Sequence, residues 1–191
     1  MDEDLKLEID ECIKVLRDGG IILYPTDTVW GLGCDATNKS AVEKVFALKQ
    51  RSDSKSLITL VADADMLCRY VKKIPEMALD LIEVNDKPMT IIYPDAVGLA
   101  ENVTAEDGSA GIRIPKNEFC RQLIKKFGRP IVSTSANISG QEAPAFFEDI
   151  NAAILDAADW VADPVYEEGS TGEPSQIIKV GLNREISVLR S

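Results

Sequence analysis

Gly20-Ile21-Ile22-Leu23-Tyr24 is a short apolar run, rich in β-branched residues, set between a glycine pair and Pro25. Such a run reads as a buried strand. The glycines stop the helix before it, and the proline, which cannot donate to a ladder, closes it. Directly beyond come Thr26, Asp27, Thr28, Trp30, Gly31 and Gly33. The hydroxyls and the carboxylate supply donors and acceptors, and the glycines allow close approach of backbone to a ligand. A polar site is therefore expected at the mouth of a core strand. The same residues also suit a plain turn whose side chains cap backbone groups, so other segments must decide between the two.

Leu5, Ile9, Cys12, Ile13 and Leu16 recur at helical spacing and Gly19 ends that helix. Ser40-Ala41-Val42-Glu43 has the capping-box pattern and opens a second helix whose last turn carries Lys49. A strand is expected over 57–61, helices from Asp63 and Pro75, a strand over 89–93 and a loop over 98–108. A strand at 110–114, a helix capped by Asn117 and ended by Gly128, and a strand at 130–133 form a strand-helix-strand unit. Another helix is expected over 146–158, and two alternating strands, 176–180 and 185–190, close the chain. Strands interleaved with helices, plus a terminal hairpin, predict one α/β domain over residues 1–191, built on a mixed twisted sheet flanked by helices.

Composition removes several kinds of chemistry. Histidine is absent, which excludes Ser-His-Asp and Cys-His catalysis and histidine metal sites. Cys12, Cys34, Cys68 and Cys120 form no Cys-x-x-Cys pair, so neither a zinc site nor a disulfide framework is expected, and the thiols read as free and mostly buried. The net charge of −11 opposes indiscriminate nucleic-acid binding. No apolar run approaches a membrane span, and the acidic start is unlike a signal peptide, so a cytoplasmic protein is expected.

Against that acidic background, residues 39–55 hold five basic side chains (Lys39, Lys44, Lys49, Arg51, Lys55) and two acidic ones (Glu43, Asp53). Lys49, Arg51 and Lys55 suit phosphate oxygens, although a cation at a helix end also complements the helix dipole. Arg113 alternates with Ile112 and Ile114, which places it on the face opposite the core. There it either clamps a carboxylate or sits on a solvated sheet. Ser133 to Asn137 brings three hydroxyls and an amide to the carboxyl end of a buried strand, a place where ligands gather. The acidic groups at Glu167-Glu168 and 101–107 read as solvated loops.

These segments together resemble the threonylcarbamoyl-AMP synthase family. The match lies in Pro25-Thr26-Asp27-Thr28 with Gly31-Leu32-Gly33, in Lys49-Gln50-Arg51 with Lys55, in Gly111-Ile112-Arg113-Ile114-Pro115, and in Ser133-Thr134-Ser135-Ala136-Asn137. Gly172-Glu173-Pro174-Ser175 resembles a late family loop, with Gln176 in place of the usual threonine, and Asn85-Asp86-Lys87 replaces a Trp-Pro-Gly element. The resemblance implies an open sheet with a large concave cavity. It also implies synthesis of threonylcarbamoyl-AMP and pyrophosphate from L-threonine, bicarbonate or CO2, and ATP with Mg2+, for tRNA modification. Thr26, Arg113, Ser135 and Ser175 would bind threonine. Lys49, Arg51, Lys55, Ser133, Asn137 and Arg190 would face the nucleotide, the first three stabilising charge. No side-chain nucleophile and no protein metal ligand is implied. Downstream tRNA threonylcarbamoyl-transfer proteins would be partners, with weak tRNA contact possible. The competing reading is a module of the same fold that binds nucleotide or RNA without catalysis.

Overall fold

The computed structural model describes residues 3–50 and 57–191. Arg51 and Lys55, expected to meet phosphate, therefore lie outside the described residues. Helices are α1 (Glu3–Arg17), α2 (Lys39–Leu48), α3 (Ala64–Tyr70), α4 (Glu76–Val84), α5 (Glu118–Phe127) and α6 (Ala152–Ala157). Strands are β1 (Ile22–Tyr24), β2 (Gly31–Gly33), β3 (Ile58–Leu60), β4 (Met89–Tyr93), β5 (Ala110–Arg113), β6 (Ile131–Ser135), β7 (Trp160–Val161), β8 (Gln176–Val180) and β9 (Ile186–Arg190). Among the described residues they form one mixed sheet of nine strands in the order β7-β1-β2-β6-β3-β5-β4-β8-β9.

Strand register sorts the side chains onto two faces. Pairing couples Gly31 with Ser135, Ser133 with Ile58, Ile58 with Gly111, Thr90 with Ile177 and Ile177 with Arg190. Because successive side chains alternate, Arg113 shares the face of Gly111, and Ser133 that of Ser135. One face thus collects the serines, the glycines and both arginines. The other carries Leu32, Val132, Ile112 and Ile91, all buried in the apolar core.

Local signals explain the helix ends. Asn117 accepts from the Cys120 N–H, and Gly128 ends α5 at φ 78°, a left-handed turn that favours glycine. Asp63 caps α3 through the Met66 N–H. The second helix departs from expectation. Its cap is Asn38, whose side chain accepts from the Ala41 N–H, so the helix begins before Ser40.

Two further differences bear on the site. The glycine segment after Trp30 is a strand rather than a turn because it pairs with both β1 and β6, and Gly33 admits that close approach. A Cβ there would sit 2.4 Å from the Val132 carbonyl and 2.7 Å from the Tyr24 ring. The helix expected over 146–158 is broken into a 3-10 turn, Phe147–Asp149, and the short α6. Asn151 restarts it by accepting from the Ala153 N–H, while the Phe147 N–H is drawn away to the Glu167 carboxylate at 2.9 Å.

Candidate active site

The polar face opens on a cavity of about 380 Å³. It is bordered by the turn before β2, the ends of β5 and β6, the start of β8 and the end of β9. Chain segments distant in sequence meet there because the sheet order interleaves them.

Thr26, Asp27 and Thr28 form a relay behind this wall. Thr26 Oγ1 donates to the Val29 carbonyl at 2.8 Å, accepts from the Thr28 N–H at 3.0 Å and lies 2.8 Å from Thr28 Oγ1. A hydroxyl has one proton and two lone pairs, so these contacts use all of Thr26, and Thr28 must donate to it. Thr28 Oγ1 then accepts from Arg113 Nη1 at 2.9 Å. Thr26, expected to touch a ligand, is turned inward and 1% exposed; Thr28 is the member of the pair that reaches the cavity.

Arg113 is 4% exposed and lines the cavity, so it does not lie on a solvated face. Asp27 Oδ1 lies 3.5 Å from its Nη2, at ion-pair distance but without a hydrogen bond. Asp27 Oδ2 accepts from the Lys116 N–H at 3.1 Å, which ties the turn to the segment leading into α5. Arg113 Nε is likewise buried without a hydrogen-bond partner. Among the described residues its one carboxylate neighbour stands at 3.5 Å without a hydrogen bond, which leaves guanidinium donors for a further anion.

Ser133, Ser135 and Asn137 all border the cavity. Ser135 Oγ donates to Asn137 Oδ1 at 2.5 Å, and Asn137 Nδ2 donates to the Gln141 carbonyl at 2.6 Å. Lys49 lies beneath this loop rather than in the cavity. Its ammonium donates to the Ser135 carbonyl, to the Asn137 carbonyl at 2.7 Å and to Asn137 Oδ1 at 3.1 Å, with only 2% of the residue exposed. Lys49, expected to face phosphate, has its ammonium on these loop oxygens in the structure.

On the opposite flank, Ser175 Oγ lies 2.8 Å from Thr90 Oγ1, and both residues are buried. Arg190 Nε donates to the Ser175 carbonyl at 2.8 Å, and Nη2 approaches Ser175 Oγ at 3.4 Å. The register shift between Ile177 and Ile178 brings Arg190 opposite Ile177. Arg190 is exposed as a residue, yet partial desolvation of its head first, then the charge of Arg113, makes it hold its proton less tightly than usual.

Some participants escaped the sequence reading. Ser170 Oγ donates to the Thr28 carbonyl at 2.6 Å, and the Gly172 N–H donates to the same oxygen at 2.8 Å, strapping the 169–175 segment to the turn. Glu167, read as a solvated charge, accepts from the Trp30 indole and the Phe147 N–H. Trp30 is fully buried at the cavity wall, its ring centroid 5.0 Å from that of Phe147. No spacing rule connects Glu167 or Ser170 to Trp30 or Thr28; only tertiary structure does.

Among the described residues no group of three or more His, Cys, Asp or Glu side chains is placed to hold a metal ion. No helix among them is long and apolar enough to cross a membrane.

A family model for Sua5, YciO and YrdC, described as "Telomere recombination", matches residues 14–191. The threonylcarbamoyl-AMP synthase of Idiomarina loihiensis is 34% identical over 170 residues, 87% of this chain and 90% of that protein. That of Pseudoalteromonas translucida is 33% identical over 181 residues, covering 93% of this chain and 95% of the relative. Among solved structures, P. abyssi Sua5 complexed with L-threonine superposes with a TM-score of 0.86 at 29% identity, covering 95% of this chain. The chain spans about half of that protein's length, 53%. E. coli YciO shares the fold, with a TM-score of 0.81 at 23% identity, covering 98% of this chain and 89% of that one.

Proposed function

The chain belongs to the Sua5/YciO/YrdC family, and on that premise we propose that it is an L-threonylcarbamoyladenylate synthase. It would join L-threonine, bicarbonate or CO2, and ATP into threonylcarbamoyl-AMP and pyrophosphate, a nucleotidyl transfer that feeds tRNA modification. The observation that carries this reading is Arg113, buried at the cavity wall and anchored by Thr28, with Asp27 at 3.5 Å as its one counter-charge among the described residues. Such a guanidinium suits the carboxylate of a small amino acid.

In this reading Arg113 receives the threonine carboxylate, with Ser135 and Ser175 able to meet its polar groups. Thr26 acts through Thr28, setting the hydroxyl that orients Arg113. Ser133 and Asn137 face the nucleotide. Arg51 and Lys55 carry the triphosphate, and Lys49 acts by holding the Ser135–Asn137 loop in place. Magnesium enters as part of the MgATP substrate, whose phosphate oxygens supply its ligands.

The threonine amine forms a carbamate, and a carbamate oxygen then attacks the α-phosphorus while the bond to the β-phosphate oxygen breaks. No side-chain nucleophile takes part. The protein contributes placement of two reactants and fixed charge around developing anions, effects that together supply large rate factors. Cytoplasmic action and hand-over of the adenylate to tRNA-modifying transfer proteins complete the proposal.

The test is pyrophosphate release by the purified protein with MgATP and bicarbonate, with and without L-threonine, while the adenylate is trapped by mass spectrometry. Threonine-dependent pyrophosphate together with the adenylate mass is expected. ATP binding with neither product would instead make the chain a binding module.

A further inference from the structure

The segment 167–175 is tied to the walls of the cavity along its length. At its start the Glu167 carboxylate accepts from the Trp30 indole and the Phe147 N–H. In its middle Ser170 Oγ and the Gly172 N–H donate to the Thr28 carbonyl, at 2.6 and 2.8 Å, and the Thr171 N–H reaches the Asp27 carbonyl at 3.3 Å. At its end Ser175 borders the cavity, with Oγ 2.8 Å from Thr90 Oγ1.

Two glycines shape this strap. Gly169 at φ 84° and Gly172 at φ 69° take the left-handed conformation, so the chain turns on either side of Ser170–Thr171 and aims a hydroxyl and an N–H at one oxygen.

Thr28 is thereby held at every polar atom. Its N–H donates to Thr26 Oγ1, its carbonyl takes the two strap donors, and its hydroxyl lies between Thr26 Oγ1 and Arg113 Nη1. A β-branched side chain has few χ1 rotamers, so a fixed backbone fixes the place of this hydroxyl as well. Arg113 Nη1 donates to it at 2.9 Å. A shift of the Thr28 backbone therefore shifts the support of the guanidinium. The loop of Ser135 and Asn137 is braced from a different quarter, by the Lys49 ammonium.

We propose that Ser170 is a positioning residue for the amino-acid half of the site: through the Thr28 carbonyl it sets the hydroxyl that orients Arg113. This rests on the synthase reading above, in which Arg113 receives the threonine carboxylate. Ser170 does not itself border the cavity, so it acts on the ligand through Thr28 and Arg113. Its loss loosens Arg113 and leaves the Ser133–Asn137 side in place.

The test compares S170A and S170T with wild type, varying threonine and MgATP separately. In S170A the KM for threonine should rise about two- to tenfold, as expected for one lost hydrogen bond, with kcat and the KM for ATP nearly unchanged. S170T, which keeps the hydroxyl, should restore the threonine value. Equal rises for both substrates, an unchanged threonine KM, or no rescue by S170T overturns the proposal. A second measurement needs no turnover. In 1H–15N spectra of the arginine side chains, with the Arg113 signal assigned by its loss in R113K, S170A should shift or broaden that signal and S170T should return it to its wild-type position. A higher threonine KM with the Arg113 signal unmoved means that Ser170 acts by another route, which also overturns the proposal. An Arg113 signal moved by S170A, in a protein whose wild type makes no pyrophosphate, refutes the synthase reading while the link from Ser170 to Arg113 stands. Should S170A not fold, S170C, a weaker donor of similar size, takes its place with a smaller change in the same direction.

Discussion

At the scale of single residues, the site depends on a chain of exhausted hydrogen bonds. Thr26 is used up by its own turn, which leaves Thr28 a single way to orient and commits it to accept from Arg113. Removing Arg113 leaves Asp27 buried and facing no cation. Arg113→Ala should therefore lower kcat/KM for threonine by about 2–5 kcal/mol, the range for truncating one partner of a buried charged pair. Steady-state rates at subsaturating threonine measure this, and an unchanged rate would remove Arg113 from the threonine site. The pattern of residue types pointed to Arg113 in the sequence, since an arginine alternating with isoleucines must leave the core face. Its partners Asp27 and Thr28 were visible only as members of a polar turn, because 85 residues separate Thr28 from the arginine it orients.

At the scale of elements, caps and strand pairing decide where polar residues emerge. The α5 boundaries were legible because Asn117 and Gly128 satisfy backbone groups locally. The β2 strand was not, since three residues containing two glycines carry no alternation to read, and their pairing is supplied by β1 and β6. The turn into β5 shows how one carboxylate joins two elements. Asp107 accepts from the Ser109 hydroxyl and N–H and pairs with Lys179 of β8, contacts that hold its pKa down to about 2 from 3.8. A depressed carboxyl pKa stabilises the fold above the unfolded value and ceases to do so as pH falls through the folded one. D107N should therefore unfold at lower denaturant than wild type at neutral pH. The gap between them should close as pH falls from 3.8 to about 2, and a gap that stays constant would rule the carboxylate out as its source. The exposure of both partners keeps the effect modest.

At the scale of the whole molecule, the polar residues of the site gather on one face of the sheet, and the cavity lies there. The cysteines report on this arrangement. Cys12, Cys34 and Cys120 are buried, and burial raises each thiol's pKa, whereas Cys68 is exposed. Since the thiolate is the reactive form, an alkylating reagent should modify Cys68 first in the native protein and all four cysteines only after denaturation, as intact-mass spectrometry would show. Early labelling of Cys34 would mean that the segment after β2 is open. The acidic balance acts at this scale too: with a net charge of −11, attraction for phosphate depends on local basic segments rather than on the overall field.

The sequence by itself determined the α/β class, most strand and helix positions, and the four polar segments, because periodicity, caps and glycine turns are local signals. It also excluded histidine-based chemistry, a matter of composition alone. Tertiary structure decided which polar residues reach the cavity and which bond within the protein. Thr26 and Lys49 had the right chemistry for a site, yet their donors and acceptors are occupied by Val29, Thr28 and the Ser135–Asn137 loop. Glu167 and Ser170 looked like surface residues, yet they hold Trp30 and the turn carrying Thr28. The physical reason is that hydrogen-bond capacity is finite. Which partner takes it depends on which groups the sheet brings within 3 Å, and sequence spacing does not contain that distance.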